Sequence, residues 1–500
     1  MTRHKYKVTD TNIFLLDAKE ALYSFKPKKP DTINTLMIPF VVLEEINKYK
    51  TEQFTTRGYN ARVFGNELKK VIQEKKRSIN QPLQLGENYF VQIMTEYNTS
   101  TVENLSVKVD LSSNDNLILA MALDLAKQEG KENVELVTND VNLFLKGSAL
   151  DLIVNDWKAA RSIDDYADIY KGWRELAVDE SVVNTLLPGK TVLDINQLDI
   201  DITNVMPNEY FALKASEDYE IPSFKDGAPN SNQFVLARYV QNVKGFDNGA
   251  LIKIPFRAGN SSGILGIKSR NFEQSFALDA LLNDNIDMVN LIGPAGTGKT
   301  LLSIASGLYQ LKTNNDSKGN NHYNSVTISR PIVPMGNQLG FLPGKIIDKM
   351  GPWLDAIFDN IKPEMRDQVI NKLTKSSSLK AELKKMNATE LKEHLMNADY
   401  MEIQSLEHIR GRSMDEKFIM IDESQNIDPL ETKTIVTRAG NGTKIVMTGD
   451  PQQIDKPGLN ELTNGLCYSS ERMNDSALTA TVFMSKGERS ELATLAAERL

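Results

Sequence analysis

The stretch VNLIGPAGTGKTLL, residues 289–302, decides the fold of this chain. An apolar run from Val289 to Ile292 reads as a buried strand, followed by a tight glycine turn and the first turns of a helix. Gly293, Gly298, Lys299 and Thr300 fit the spacing G-x-x-x-x-G-K-[ST], with Pro294, Ala295, Gly296 and Thr297 filling the loop between them. Glycines let the backbone curl so that successive N–H groups point at phosphate oxygens, and the helix adds its positive N-terminal end to the same anion. Lys299 supplies a point charge for the β- and γ-phosphates, and the Thr300 hydroxyl is a ligand for Mg²⁺. A chance turn between strand and helix is the bland alternative.

A phosphate loop of this kind needs a second acidic element. FIMIDESQN (418–426) offers one, an apolar strand ending in Asp422 and Glu423. Asp422 is placed to hold Mg²⁺ through water, and Glu423 to polarise the attacking water. A further strand, TKIVMTGDPQQ (443–453), ends at Asp450 with Gln453 beyond it, where a polar residue can sense the γ-phosphate. Gln274, in RNFEQSFALDALL, precedes the loop at a distance suited to hydrogen-bonding adenine; alone it would be a helix surface residue.

Composition sets the outer bounds. The chain has 500 residues, room for about two to four domains. It is 41% hydrophobic and 25% charged, an ordinary soluble globular balance. A net charge of −8 excludes a protein that is basic all over, so nucleic acid has to meet a local basic groove. The one cysteine, Cys467, excludes an intramolecular disulfide and a cysteine zinc cluster, and the histidines (His4, His322, His394, His408) lack metal-ligand spacing. A reducing cytoplasm is the expected compartment. MTRHKYKVTDTN lacks an apolar signal core, and no run approaches a membrane span.

The first third alternates strands with helices. KYKVTDTNIFLL (5–16) reads as a strand with Asp10 near its middle, and TLMIPFVV (35–42) as a strand running into a helix with Glu44 and Glu45. Ser112 or Ser113 is placed to cap the helix NDNLILAMALDLAKQ, with Asp115 in its first turn. NVELVTND (133–140) reads as a strand ending at Asn139 and Asp140. The alternation implies a parallel sheet with ligands at the carboxyl ends of its strands. Asp10, Glu45, Asp115 and Asp140 could all face that edge, where clustered carboxylates call for Mg²⁺ or Mn²⁺ between them. Such a site can activate water for phosphodiester hydrolysis. Each acid taken alone reads equally as a cap or a solvated side chain. KPKKP (26–30) and KKVIQEKKR (69–77) are basic clusters that suit an RNA backbone or simply a solvated face. Residues 151–185 read as mixed helix. From about 186 to 258 the runs TVLDI, EYFAL, QFVLARYV and LIKIPF form a small β-rich module, with a structural role favoured over an RNA-binding barrel.

Two resemblances build on these residues. DTN (10–12), VVLEEI (41–46), NDN (114–116) and TND (138–140) are similar to the signature acids of PIN-domain ribonucleases, which bind divalent metal and cleave single-stranded RNA. The resemblance implies metal ligation and catalysis by Asp10, Glu45, Asp115 and Asp140, with Glu44 as the rival for the helix position. It implies supporting roles for Thr11, Asn12, Thr138 and Asn139. GPAGTGKT, SRP (329–331), GFLPGK (340–345), IRGRS (409–413), IDESQN, TRAGNGTKIVMTGDPQQID (437–455) and KGERS (486–490) together resemble the PhoH-like ATPase family, in its two-domain subgroup with an N-terminal PIN domain. Ser424 stands where alanine usually follows Asp-Glu. The resemblance implies ATP contacts from Gln274, Gly293 to Thr300, Asp422, Glu423, Asp450 and Gln453. Phosphate- or RNA-facing roles for Arg330, Arg410 and Arg412 also follow from it.

The expected architecture is therefore α/β: a PIN-like parallel-sheet domain over 1–180, a β-rich connector over 181–260, and a PhoH-like P-loop (RecA-like) ATPase domain over 261–500. The lysine-rich helical insert at about 360–400 carries no motif. Residues 424–500 leave no room for a second motor core, so the site is expected to be completed by a neighbouring subunit or by the tail. Arg489 is the candidate arginine finger and a closed homo-oligomeric ring, six-membered by analogy, the expected assembly. The expected function is an ATP-dependent RNA helicase or translocase coupled to a metal-dependent endoribonuclease, with no membrane partner. The alternatives are a nucleotide-dependent RNA-binding assembly factor without nuclease activity, and a DNA-directed ATPase motor.

Overall fold

A computed structural model of the chain describes residues 3–27, 29–52, 56–75, 79–103, 109–157, 168–186, 191–198, 200–224, 233–255, 263–312, 322–331, 367–371, 376–409, 414–456 and 459–487. Two compact units divide it, Met1–Ser162 and Ile163–Leu500.

The first unit holds strands β1 (Arg3–Thr9), β2 (Thr32–Pro39), β3 (Leu83–Gly86), β4 (Tyr89–Met94), β5 (Val134–Val137) and β6 (Ile153–Asn155). Its helices are α1 (Thr11–Leu16), α2 (Ala18–Tyr23), α3 (Phe40–Tyr49), α4 (Thr56–Lys75), α5 (Thr99–Glu103), α6 (Asn114–Glu129) and α7 (Val141–Ala149). The strand order is β3-β4-β2-β1-β5-β6, parallel except for the β3–β4 hairpin. Val8, Leu36, Ile38, Val91 and Leu136 fill one core with Phe14, Phe64 and Ile118 from the helices.

Two boundaries differ from the sequence reading. The strand expected over 5–16 stops at Thr9, because the Asp10 side chain accepts the Ile13 N–H at 3.3 Å and so caps α1. The 35–42 strand likewise ends at Pro39, and Phe40 opens α3. At α6, Ser113 occupies the cap position without a side-chain bond.

The second unit contains two sheets. β7 (Trp173–Ala177), β8 (Val192–Asp194), β9 (Tyr210–Lys214), β10 (Phe234–Val240) and β11 (Ala250–Lys253) run in the order β7-β9-β10-β11-β8, with helix α8 (Glu180–Leu186) beside them. The segment read as mixed helix therefore supplies β6 and an edge strand, β7, which pairs in parallel with β9. The ATPase sheet holds β12 (Met288–Ile292), β13 (Ser325–Ser329), β14 (Met401–Ile403), β15 (Lys417–Ile421), β16 (Lys444–Gly449) and β17 (Thr479–Phe483), all parallel in the order β14-β13-β15-β16-β12-β17. Helix α9 (Phe272–Leu282) precedes β12, and α10 (Lys299–Tyr309) follows it.

The five-stranded sheet is not a linker. Strand alternation sends Phe211, Leu213, Val235 and Ala237 into a core with Val183 and Leu186 of α8. Tyr210, Ala212, Phe234 and Leu236 point the other way and share the ATPase core with Phe272 and Phe276 of α9. Tyr210 stacks on Phe276 at 4.9 Å, and Trp173 meets Phe272 edge-on at 5.2 Å. Polar ties reinforce the packing. Arg238 Nε donates to Asp279 Oδ2 of α9 at 2.9 Å, and its Nη1 donates to Asn208 Oδ1 at 2.7 Å. Asn208 in turn donates to the carbonyls of Ala477 and Thr479, and Trp173 Nε1 to that of Phe483.

This arrangement makes the sheet part of the ATPase fold. Asp279→Ala should destabilise the second unit by about 2–4 kcal/mol, because it strands the largely buried Arg238 guanidinium. Denaturant unfolding followed by tryptophan fluorescence measures this; an unchanged midpoint would mean the two sheets fold independently.

Candidate functional site

The ATPase edge is built by register. Ile292 of β12 lies opposite Gly449 of β16, and Ser329 of β13 opposite Ile421 of β15. The residues that follow these strand ends are Gly293, Asp450, Arg330 and Asp422, so one edge of the sheet collects them all.

The loop after β12 needs its glycines. Gly293 has φ +145°, and a Cβ there would lie 2.1 Å from the Met484 carbonyl oxygen. Gly298 has φ +95°, and its Cβ would press to 3.2 Å from Gln274 Nε2. Pro294, Ala295, Gly296 and Thr297 form the turn between them, and α10 starts at Lys299. Lys299 is buried, its ammonium donating to the carbonyls of Gly293 at 2.6 Å and Pro294 at 2.8 Å. The cation is thus held at the mouth of the loop it serves.

Asp422 is 5% exposed and accepts hydroxyl bonds from Thr300 at 3.1 Å and Thr448 at 2.5 Å. Burial pushes its carboxyl above the usual range, against the pull of those hydroxyls. Glu423 adopts a left-handed backbone, φ +54°, which turns the strand end outward. One of its oxygens meets Arg330 at 3.3 Å and the other accepts from Gln425 Nε2 at 2.7 Å. Gln425 also donates to the Gln453 carbonyl and accepts from the Asp450 N–H, so it links both acidic strand ends. Asp450 accepts the Ala295 N–H at 3.2 Å, which ties it to the phosphate loop, while the Gln453 side chain is exposed.

Gln274, expected at the adenine, sits beside the phosphate loop. It is buried, its Nε2 donates to the Thr297 carbonyl at 3.0 Å and its Oε1 accepts the Arg270 N–H at 2.9 Å. Both ends of the amide are engaged within the chain, where they brace the loop. Its neighbour Glu273 grips the tail, accepting from Ser485 Oγ at 2.6 Å and the Lys486 N–H at 3.1 Å. Arg410, Arg412, Arg489 and the GFLPGK motif lie outside the described residues, as do residues 360–366 and 372–375 of the 360–400 insert.

The second acidic edge lies in the first unit. Asp10 follows β1, and Asp140 follows the adjacent parallel strand β5 and caps α7 through the Leu143 N–H at 2.8 Å. Thr138 connects them: its hydroxyl donates to Asp10 and accepts the Asp140 N–H. Glu45 on α3 accepts from the Thr11 hydroxyl and from Asn114 Nδ2, the latter at 2.6 Å, which brings α1, α3 and α6 together. Glu44, the rival in register, instead lines a separate groove between α3 and α4. Asp115 opens α6 beside these groups. Burial, then Asp140 and Glu45, raise its pKa, while Lys146 of α7 opposes them. Asp10 is pushed up to about 6, mainly by burial, with Asp140 and Asp115 adding to the rise.

The donors are hard carboxylate oxygens that raise one another's pKa, the chemistry that a divalent cation relieves, so the residues fit Mg²⁺ or Mn²⁺. The fit is one of donor chemistry: among the described residues no group of three or more His, Cys, Asp or Glu side chains is placed so as to hold a metal ion. Asn114, Lys146, Thr448 and Gln425 were not singled out from the sequence. Of these, Thr448 left a trace, a hydroxyl after the apolar run Ile445 to Met447 of a buried strand.

The comparisons with known proteins agree with this division. The PIN domain family matches residues 7–158, and the PhoH-like protein family matches residues 266–494. Protein PhoH2 of Bacillus subtilis is 34% identical over 99% of this chain and 100% of its own length. Protein PhoH2 of Mycolicibacterium smegmatis is 27% identical over 93% of this chain and 91% of its own. That of Thermobispora bispora is 25% identical over 98% and 97%. With acids at the edges of two parallel sheets and a relative similar from end to end, the chain belongs to the PhoH-like family, in the two-domain form that carries a PIN domain ahead of the P-loop ATPase domain.

Proposed function

We propose that the protein is an ATP-driven RNA helicase or translocase that feeds single-stranded RNA to an endoribonuclease site in its PIN domain. The observation that carries this reading is the repetition of one device. Each of two parallel sheets in one chain presents carboxylates at its C-terminal edge, one beside a phosphate loop and one beside other carboxylates.

In the ATPase part, the loop from Gly293 to Thr300, through the backbone N–H groups that follow Pro294, and the Lys299 ammonium bind the phosphates of ATP. Thr300 and Asp422, already joined by a hydrogen bond, are the residues to hold Mg²⁺. Glu423, oriented by Arg330 and Gln425, accepts the proton of the attacking water. Asp450 and Gln453 report phosphate occupancy to the loop. Arg489 serves as the arginine finger, from a neighbouring subunit of a six-membered ring or from the chain's own tail.

In the PIN part, Asp10, Glu45, Asp115 and Asp140 are the residues to hold a divalent cation. When bound there, the cation supplies Lewis acidity and lowers the pKa of water. Thr11 and Asn114 orient Glu45, and Thr138 orients Asp10. Thr138 and the α7 N-terminus fix Asp140 from two sides. Single-stranded RNA suits an edge reached from solvent, and a ring would pool local basic patches that a chain of net charge −8 cannot spread over its surface. Among the described residues no helix is long and apolar enough to cross a membrane.

Three outcomes test this. Lys299→Ala should abolish ATP hydrolysis and unwinding yet leave Mn²⁺- or Mg²⁺-dependent cleavage of unstructured RNA, while Asp10→Asn with Asp115→Asn should do the reverse. Cleavage of structured RNA at the parental rate by Lys299→Ala removes the coupling, and cleavage surviving the double substitution removes the nuclease assignment. Light scattering with ATP present should give the mass of six 56.0 kDa chains; a monomer active in ATP hydrolysis would remove the ring.

The third concerns pH. With EDTA present, the raised pKa of Asp10 keeps the native state protonated up to about pH 6, whereas the unfolded carboxyl titrates near 4. Native protein therefore binds the extra proton between these values, and Asp10 makes stability fall as pH rises through that window, by about 2–3 kcal/mol. Asp10→Asn should raise the unfolding midpoint at pH 7.5 and leave it unchanged at pH 4. Equal shifts at both pH values would contradict the assignment.

A further inference from the structure

Helices α3 and α4 enclose a groove of about 570 Å³, within the range of roughly 300–1,000 Å³ typical of ligand pockets. Its walls are apolar, with Phe40 and Leu43 from α3 facing Phe64 and Leu68 from α4. Phe40 is 49% exposed at the first position of α3, so its ring is open to solvent at the edge of the groove. Phe40, Glu44 and Asn47 recur at helical spacing along one stripe of α3. Glu45 is one residue, about 100°, around the same helix, and it belongs to the acidic edge.

The groove is not uniformly apolar. Exposed amides of Asn47 on α3 and Gln73 on α4 offer both donors and acceptors. Lys50 and Lys69 place two exposed ammonium groups on its rim. At Gly65 the absent side chain leaves room for Lys50, whose Nζ would lie 3.3 Å from a Cβ built there.

We propose that this groove is a base-binding subsite for single-stranded RNA: Phe40 stacks a nucleobase, Asn47 and Gln73 read its edge, and Lys50 and Lys69 hold the flanking phosphates. Flat apolar walls with amide readers suit an unstacked base, and paired cations suit the backbone on either side. A peptide helix would need a longer apolar floor than the four side chains Phe40, Leu43, Phe64 and Leu68 provide. The acceptor oxygens of Glu44 add a preference for a base bearing an exocyclic amino group over uracil. The subsite rests on the nuclease reading for its purpose, since α3 carries Glu45 into the acidic edge, but its occupancy by RNA is measurable whether or not the strand is cut.

The test uses the full chain with Asp10→Asn and Asp115→Asn and a fluorescein-labelled unstructured 12-mer RNA containing 5-iodocytidine. Ultraviolet crosslinking followed by peptide mass spectrometry should place crosslinks within residues 40–50 or 64–73. Phe40→Ala and Gly65→Leu should each lower that crosslink yield at least about 5-fold. Neither should unfold the unit, because Phe40 is half exposed and Lys50 can swing away from a side chain at 65. In the cutting chain the same substitutions should raise KM for RNA by about 5- to 100-fold, the range for loss of one stacked base, with kcat within about 2-fold. An oligo(C) 12-mer should bind more tightly than oligo(U), and Glu44→Gln should narrow that gap. Crosslinks confined to other segments, or parental KM in both variants, overturn the subsite. A changed oligomeric mass with unchanged RNA binding also overturns it, by assigning the groove to a second protein surface. Absence of cleavage in the parent chain, with crosslinks still in the groove, would remove the nuclease reading and leave the subsite standing.

Discussion

Helix α9 has almost no solvent face, and the second unit is arranged around that fact. Of the residues from Phe272 to Leu281, all but Asp279 are buried. A helix apolar on all sides must be covered on all sides. Here the five-stranded sheet covers one side through Tyr210 and Phe234, and the ATPase elements cover the other through Val289 and Leu302. Its ends are held as firmly as its flanks. The Lys444 ammonium, 1% exposed, donates to the carbonyls of Ala280, Leu281 and Asn283 and so caps the C-terminus. Burial lowers its pKa to about 8, while Asp284, Asp287 and Asp279 pull the other way. At the opposite end, Gln274 holds the phosphate loop and Glu273 the start of the tail. Close packing leaves such a helix no free direction. Through Gln274 the helix touches the loop at Thr297, and through Phe276 it touches the five-stranded sheet.

Much of this was legible before the structure. The strand–glycine–lysine order at 289–302 forces a buried strand, a left-handed turn and a helix, because few other chain paths use those residues together. IDES after an apolar run places a carboxylate at a strand end for the same reason. The four acids of the first third were legible as a set, and so was the choice of a parallel sheet. Asp10 was misplaced within its element. Its flanks continue the apolar pattern of β1, and only the bond to the Ile13 N–H reveals the change from strand to helix. β7 was missed because its partner is β9, distant in sequence, and a five-residue strand leaves little periodicity to read. Lys146 and Asn114 were hidden because their parts depend on what three helices bring near them. The five-stranded sheet was visible as β-rich, but whether it bound RNA or packed inward turned on burial of both its faces.

The two acidic edges share a topology and differ in charge, and that difference separates their ligands. At the ATPase edge the carboxylates have cationic company. Glu423 faces Arg330, and Lys299 lies in the loop whose Ala295 N–H bonds Asp450. Asp422 is held by two hydroxyls rather than by another acid. An edge balanced in this way tolerates a polyphosphate directly, with the loop N–H groups adding further positive ends. At the PIN edge four carboxylates act on one another, and Lys146 is the cation that relieves Asp115. A phosphodiester approaching that edge would meet like charge. Burial is the main cause of the raised pKa of Asp10, and Asp140 and Asp115 add to it. The same sheet geometry thus gives an edge with cationic neighbours in one unit and an edge dominated by carboxylates in the other, and the residues around the strand ends make the difference.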